Sequence, residues 1–191
     1  MSGLSWPSET QPTASGRLVV VNDFLDQVEA GADVAHLYFL ALAGALVIPD
    51  MCGALESPDG NATGQRYRAW FDEHVAPLHQ THDGSPFLSG DDCYRFRCSL
   101  LHQGTSQHPD SGFSRIMFIE PGTTTNVFHM CILNDALNIE VRLFCLEVVN
   151  AARVWTQQMQ GTEPYDTNFN AFVRRYPNGL LPYIGGVPVI S

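Results

Sequence analysis

Six apolar residues late in the chain, Val141, Phe144, Val148, Ala152, Trp155 and Met159, are separated by 3, 4, 4, 3 and 4 positions. Steps of that size return to one face of an α-helix at every turn. The pattern predicts a long helix from a cap at Asp135 to about Gln160. Such a helix draws its stability from what covers its apolar face, not from its own propensity. The rest of the chain must therefore supply a partner surface, and most of it reads as further helices.

Asn22 or Asp23 can cap a helix carrying Phe24, Leu25 and Val28, which Gly31 interrupts. The next run, Asp33 to Ile48, is apolar nearly all round, as expected of a helix buried on most sides, and Pro49 closes it. Its most apolar part, Leu37 to Ile48, is twelve residues long. A membrane span needs about 20, so this is expected to be a core helix. A third helix is predicted over Gln65 to Val75, with Tyr67, Trp70 and Phe71 on its core face and Pro77 after it. Ser89 with Asp92 three residues on resembles a capping box, opening a fourth helix that runs to Gln103 and stops at Gly104. Between that helix and the long one, Phe113–Glu120 and Asn126–Leu133 are short and β-prone, and Pro121-Gly122 lies between them. The expected fold is mainly α, a helical bundle of about five helices with an inserted β-hairpin at about 113–134. Residues 1–16 read as a flexible arm rich in Ser, Thr and Pro, and 17–191 as one domain with an irregular tail from Gly161.

Charge narrows the partners. The chain of 191 residues carries 20 acidic and 10 basic residues, a formal net charge of −10, and every basic residue is arginine. That balance argues against broad binding to nucleic acid or anionic membrane, though not against a small arginine-lined pocket. Five cysteines, an odd number with no CxxC spacing, predict reduced and mostly buried thiols. With no basic start and no apolar signal core at the N-terminus, the expectation is a cytoplasmic protein without a membrane anchor.

The chemistry concentrates in DDCYRFRCSLLHQG, residues 91–104. On a regular helix, at about 100° per residue, Cys93, Phe96 and Leu100 share a narrow arc that belongs to the core. Arg97 flanks that arc, and His102 lies on the far side with Asp91, Arg95 and Cys98. Arg97 and His102, five positions apart, then diverge by about 140°. Arg95 and His102, seven apart, share a face.

Arg97 followed after four residues by His102, with Gln103-Gly104 behind and Tyr94 ahead, resembles the signature of HEPN domains. The resemblance covers about fourteen residues and a compatible helical layout. It implies a helical bundle, often a homodimer in which two copies of the motif meet. It also implies either RNA cleavage without metal or a non-catalytic module that binds a nucleotide or a protein partner. Arg97 and His102 would be the catalytic pair, with Arg95, Tyr94 and Gln103 as accessory binding residues; no metal or other cofactor is implied. Cys98 departs from the pattern, which prefers a polar residue after the arginine. The chemistry is coherent. Histidine can take the 2′-hydroxyl proton or protonate the leaving 5′-oxygen near neutral pH. Arginine can hold the charge on a pentacovalent phosphorus with paired hydrogen bonds.

Other signals are weaker. His74, His79 and His82 lie among Asp72, Glu73 and Asp83, but Pro77 breaks the helix between the first two and no metal-ligand spacing is present. They read as a solvated loop. Cys98 and His102 at i, i+4 could form a nucleophile pair, yet a helical cysteine on a flank is more often packing. The glycines match neither a phosphate-binding loop nor a dinucleotide fingerprint.

Overall fold

The computed structural model describes residues 14–107, 112–122 and 125–191, with side chains from residue 22 onward. The chain is mainly helical. Among the described residues there are six α-helices, α1 (Ala14–Asp33), α2 (Tyr38–Leu55), α3 (Gly64–His74), α4 (Gly90–Cys98), α5 (Val141–Met159) and α6 (Glu163–Asn170), with short strands between α4 and α5 and after α6. Helices α2 and α5 run through the middle. α1 packs on both, α3 lies against both, and α4 sits on α3.

Helix α5 presents the face that the apolar spacing marked: Val141, Phe144, Val148, Ala152 and Trp155 are buried, and Met159 is partly so. It starts five residues later than expected. Its cap is Glu140, whose carboxylate accepts the Leu143 N–H. Asp135 has a different task. With Asn134 it forms a two-residue turn in which both residues have positive φ, 50° and 61°. That left-handed pair, tolerated by Asn and Asp, is the turn that matches the twist of a hairpin. It joins β2 (Cys131–Leu133) to β3 (Ala136–Glu140), with Leu133 opposite Ala136.

The expected hairpin of 113–134 is therefore corrected. β1 (Arg115–Ile119) does not pair with β2; it runs parallel to β3, giving the order β1-β3-β2. The central strand β3 is buried along its whole length. Its Asn138 is buried too, and Nδ2 donates to the carbonyls of Ala136 and Cys131.

Three further boundaries differ from the sequence reading. Residues 1–13 of the expected arm lie outside the described residues, and 14–16 already belong to α1. That helix runs through Gly31, whose cost of about 1 kcal/mol is small beside burial of Leu25, Val28 and Ala32. Pro49 does not end its helix. α2 continues to Leu55 because Cys52, Gly53 and Leu55 are buried beyond it, and that packing outweighs one lost backbone hydrogen bond. At 18 residues α2 is long and apolar enough to cross a membrane by length and composition, and half of it is buried inside the protein.

The tail is less irregular than expected. Tyr165 and Phe169, one turn apart in α6, are fully buried, and Trp155 and Tyr165 meet edge to face at 5.6 Å. Asn168 of α6 donates from Nδ2 to the carbonyls of Ala54, Leu55 and Ser57, satisfying the end of α2. After α6 come two small antiparallel ribbons, β4 (Arg175–Tyr176) with β7 (Val189–Ile190), and β5 (Gly179–Leu180) with β6 (Ile184–Gly185).

Candidate functional site

Helix α4 begins as the capping signal says. The Ser89 hydroxyl accepts the Asp92 N–H at 3.1 Å and itself donates to the Asp92 carboxylate at 2.7 Å. Cys93 and Phe96 are buried, and Tyr67 of α3 meets the Cys93 sulfur at 3.3 Å. Leu100, expected in the core, is only partly buried, and Ser99 takes the buried position.

That shift has one cause. From Ser99 to Gln103 the helix widens into a π turn and closes on Gly104, which has the left-handed φ of 66°. Thr105 N–H bonds to the Ser99 carbonyl and Gly104 N–H to that of Leu100. Each bond spans one residue more than in the usual glycine-terminated closure. A π turn brings residues five apart into register. Arg97 and His102 are five apart, and the structure overturns the expectation that they diverge: Arg97 Nη1 donates to His102 Nε2 at 2.9 Å. Arginine can only donate, so in this arrangement the ring accepts at Nε2 and carries its proton at Nδ1.

Asp50, in α2, completes the group. Its Oδ2 lies 2.7 Å from Arg97 Nη2, with the aspartate 15% and the arginine 19% exposed at the side chain. The contact is an ion pair and not an aligned hydrogen bond, since Asp50 Oδ2 and Arg97 Nε are both buried without a hydrogen-bond partner. The pair is asymmetric. Burial pushes the Asp50 carboxyl above its ordinary value against the pull of Arg97 and His102. Burial works the other way on Arg97, but the attraction of Asp50 and the contact with Cys98 outweigh it and hold the guanidinium above its ordinary value. His102 itself is exposed. The arrangement offers an exposed imidazole nitrogen, masked by an arginine proton that a phosphate could draw away.

The accessory residues do not gather here. Arg95 pairs through Nη2 with Asp91 at 2.8 Å, and Asp91 also accepts from Arg68 at 2.7 Å. Arg68 in turn lies over the ring of Tyr94, 4.2 Å from its centroid. A hydrogen bond with Cys98, then burial, pushes the Tyr94 phenol above its ordinary value. Gln103 is exposed beside His102. The face expected to be shared by Arg95 and His102 presumed a regular helix, and the π turn removes that premise.

The three-histidine loop comes apart. His74 rests against Trp70 at 5.1 Å and His82 is exposed. His79 instead joins two residues distant in sequence: its Nε2 is 2.8 Å from Glu147 Oε1 and 3.2 Å from His129 Nε2. His129 Nε2 also lies 3.2 Å from the other Glu147 oxygen. Burial raises the Glu147 carboxyl, but its contacts with His129 and His79 win and hold it below the ordinary carboxylate range.

Asp50, His129 and Glu147 are absent from the sequence reading. Asp50 had a signal, as the lone charge in the otherwise apolar Tyr38–Leu55, where a buried acid needs a partner. His129 and Glu147 had none, since they stand 50 and 68 positions beyond His79.

Comparison of the chain with models of protein families, with curated proteins and with solved structures finds no match.

Proposed function

We propose that the chain is a HEPN-like helical bundle that acts in the cytoplasm as a metal-independent endoribonuclease, in a defence or toxin role, with Arg97 and His102 as its catalytic pair. The observation that carries this reading is the 2.9 Å contact between the two side chains across a π turn. Single π turns inside α-helices are rare and concentrate at functional sites. In the proposed reaction the bare Nε2 of His102 takes the proton of an RNA 2′-hydroxyl, and that oxygen attacks the adjacent phosphorus. Arg97, released from the ring, donates to the non-bridging oxygens as charge builds on them. The bond from phosphorus to the 5′-oxygen breaks, and a protonated His102 supplies the proton to the leaving oxygen. A two-fold dimer through α4 would set one histidine as base and the partner's copy as acid across a shared groove.

The ion pair with Asp50 favours a second reading, a non-catalytic HEPN-like module that binds a protein partner or a nucleotide, because it neutralises the charge a phosphate would seek. RNA cleavage by the purified full chain in excess chelator separates the two, with circular dichroism confirming the fold. The ribonuclease reading expects His102→Ala and Arg97→Ala each to lose about 100-fold or more, the range that positioned acid–base groups supply. Equal cleavage by all three proteins would be contamination, and absence of cleavage by the wild type would leave the binding module.

A further inference from the structure

His79, His129 and Glu147 arrive from three separate parts of the chain. His79 follows the short turn Ala76–Leu78, His129 precedes β2, and Glu147 is on α5. Their four ligand-type atoms converge, and all three residues can offer one within 4.8 Å of the others. His129 is 8% exposed at the side chain and its Nδ1 is buried without a hydrogen-bond partner. The two imidazole rings meet edge to face, 4.7 Å between centroids.

Protons alone satisfy this cluster poorly. Each histidine must carry hydrogen on Nε2 to donate to the Glu147 carboxylate, yet those two nitrogens face each other at 3.2 Å. Two N–H groups would then point into one space. If either ring moves its hydrogen to Nδ1, it loses its bond to the glutamate. A single cation in that space removes the conflict, because both Nε2 lone pairs and a carboxylate oxygen can then face inward together. The dimensions agree. Nitrogens about 2.0–2.1 Å from a tetrahedral zinc stand roughly 3.3–3.4 Å apart, against the 3.2 Å between His79 and His129.

We propose that His79 Nε2, His129 Nε2 and a Glu147 carboxylate oxygen bind one divalent transition-metal ion, zinc foremost. Two imidazoles and one carboxylate suit zinc better than magnesium or calcium, which take oxygen ligands. Three protein ligands leave a fourth position to water, the pattern of an open site and not of a closed structural one. Glu147 also lines an open apolar groove of about 410 Å³ with His74, Leu78, Asn150, Ala151 and Val154, so the fourth position has a route to solvent. None of its three ligands takes part in the contact between Arg97 and His102, and the zinc titration is read without RNA cleavage.

The test is titration of zinc ion into chelator-stripped full-length protein by calorimetry, with cobalt(II) absorption as a second readout. The expected result is one zinc per chain and a four-coordinate cobalt spectrum. His79→Ala, His129→Ala and Glu147→Gln should each weaken zinc binding by more than about 100-fold, beyond the loss seen on removing a residue that only supports a ligand. His82→Ala, in the exposed loop nearby, should leave the titration unchanged. A wild-type chain that takes up no zinc, or zinc uptake that survives Glu147→Gln, overturns the site. Should His129→Ala fail to fold, the more exposed His79→Ala and the wild-type cobalt spectrum decide the matter.

Discussion

Asp50 and Arg97 show how one residue's surroundings decide its worth. A surface ion pair contributes little, but this one has both partners less than one-fifth exposed. Removing the acid leaves a half-buried guanidinium whose remaining charge has no counter-ion. Asp50→Ala is expected to cost about 2 kcal/mol, between the exposed and the fully buried cases, as a lower urea midpoint. It should also free Arg97 to turn toward solvent. The residue types at 97 and 102 were legible, and so was their spacing, but their contact was not. A helical wheel assigns every residue the same rotation, and the widened turn at Ser99–Gln103 breaks that rule where the chemistry lies. No residue in SLLHQ announces the change. His129 and Glu147 fall outside any local pattern for a different reason, since only the tertiary fold brings them beside His79.

Elements were read best where a side chain could satisfy a backbone need nearby. Ser89 opens α4, Thr63 accepts the Arg66 N–H at the start of α3, and Gly104 closes the π turn. The expected helix stop failed at Pro49 and the expected irregular tail failed at α6, yet the tail carried a usable signal. Thr162, Glu163 and Pro164 place a cap, an acid and a proline in one first turn, followed by Tyr165 and Phe169 at helical spacing. How closely two elements approach was invisible in the sequence. At Gly90, α4 crosses α3 so tightly that a Cβ would come 2.5 Å from the Arg68 carbonyl oxygen, while the Gly90 N–H bonds to Asp72 at 2.6 Å. Backbone cannot yield as a flexible side chain can. Gly90→Ala is therefore expected to destabilise the protein by about 1–3 kcal/mol, despite the higher helix propensity of alanine. Chemical denaturation against the wild type measures it.

At the scale of the whole molecule, the five cysteines are all free, and Cys52, Cys93 and Cys145 are buried. Burial pushes the thiols of Cys93 and Cys145 up to about 12 from an ordinary 9. The unfolded chain therefore gives up these protons first as pH rises. Below about 9 both states hold them and stability is unaffected; between about 9 and 12 the unfolded state alone is ionised, and stability falls with rising pH. Each such thiol adds a slope of up to about 1.4 kcal/mol per pH unit. Urea midpoints taken from pH 8 to 10.5 should fall, and Cys145→Ala should make the fall shallower even though it lowers stability at pH 8.

The parallel pairing of β1 with β3 has a temporal consequence. Strands β2 and β3 meet across two residues, whereas β1 reaches the same central strand only after sixteen residues, 120–135, have looped back. Closing the longer loop costs more chain entropy before any contact rewards it. The hairpin and the start of α5 should thus assemble as the template, and β1 should dock on it late. Ile116→Val, at the buried position of β1, is expected to quicken unfolding and leave the folding rate nearly unchanged, while Leu137→Ala in β3 should slow folding. Stopped-flow kinetics on the two variants would reverse this order if the outer strand were part of the nucleus.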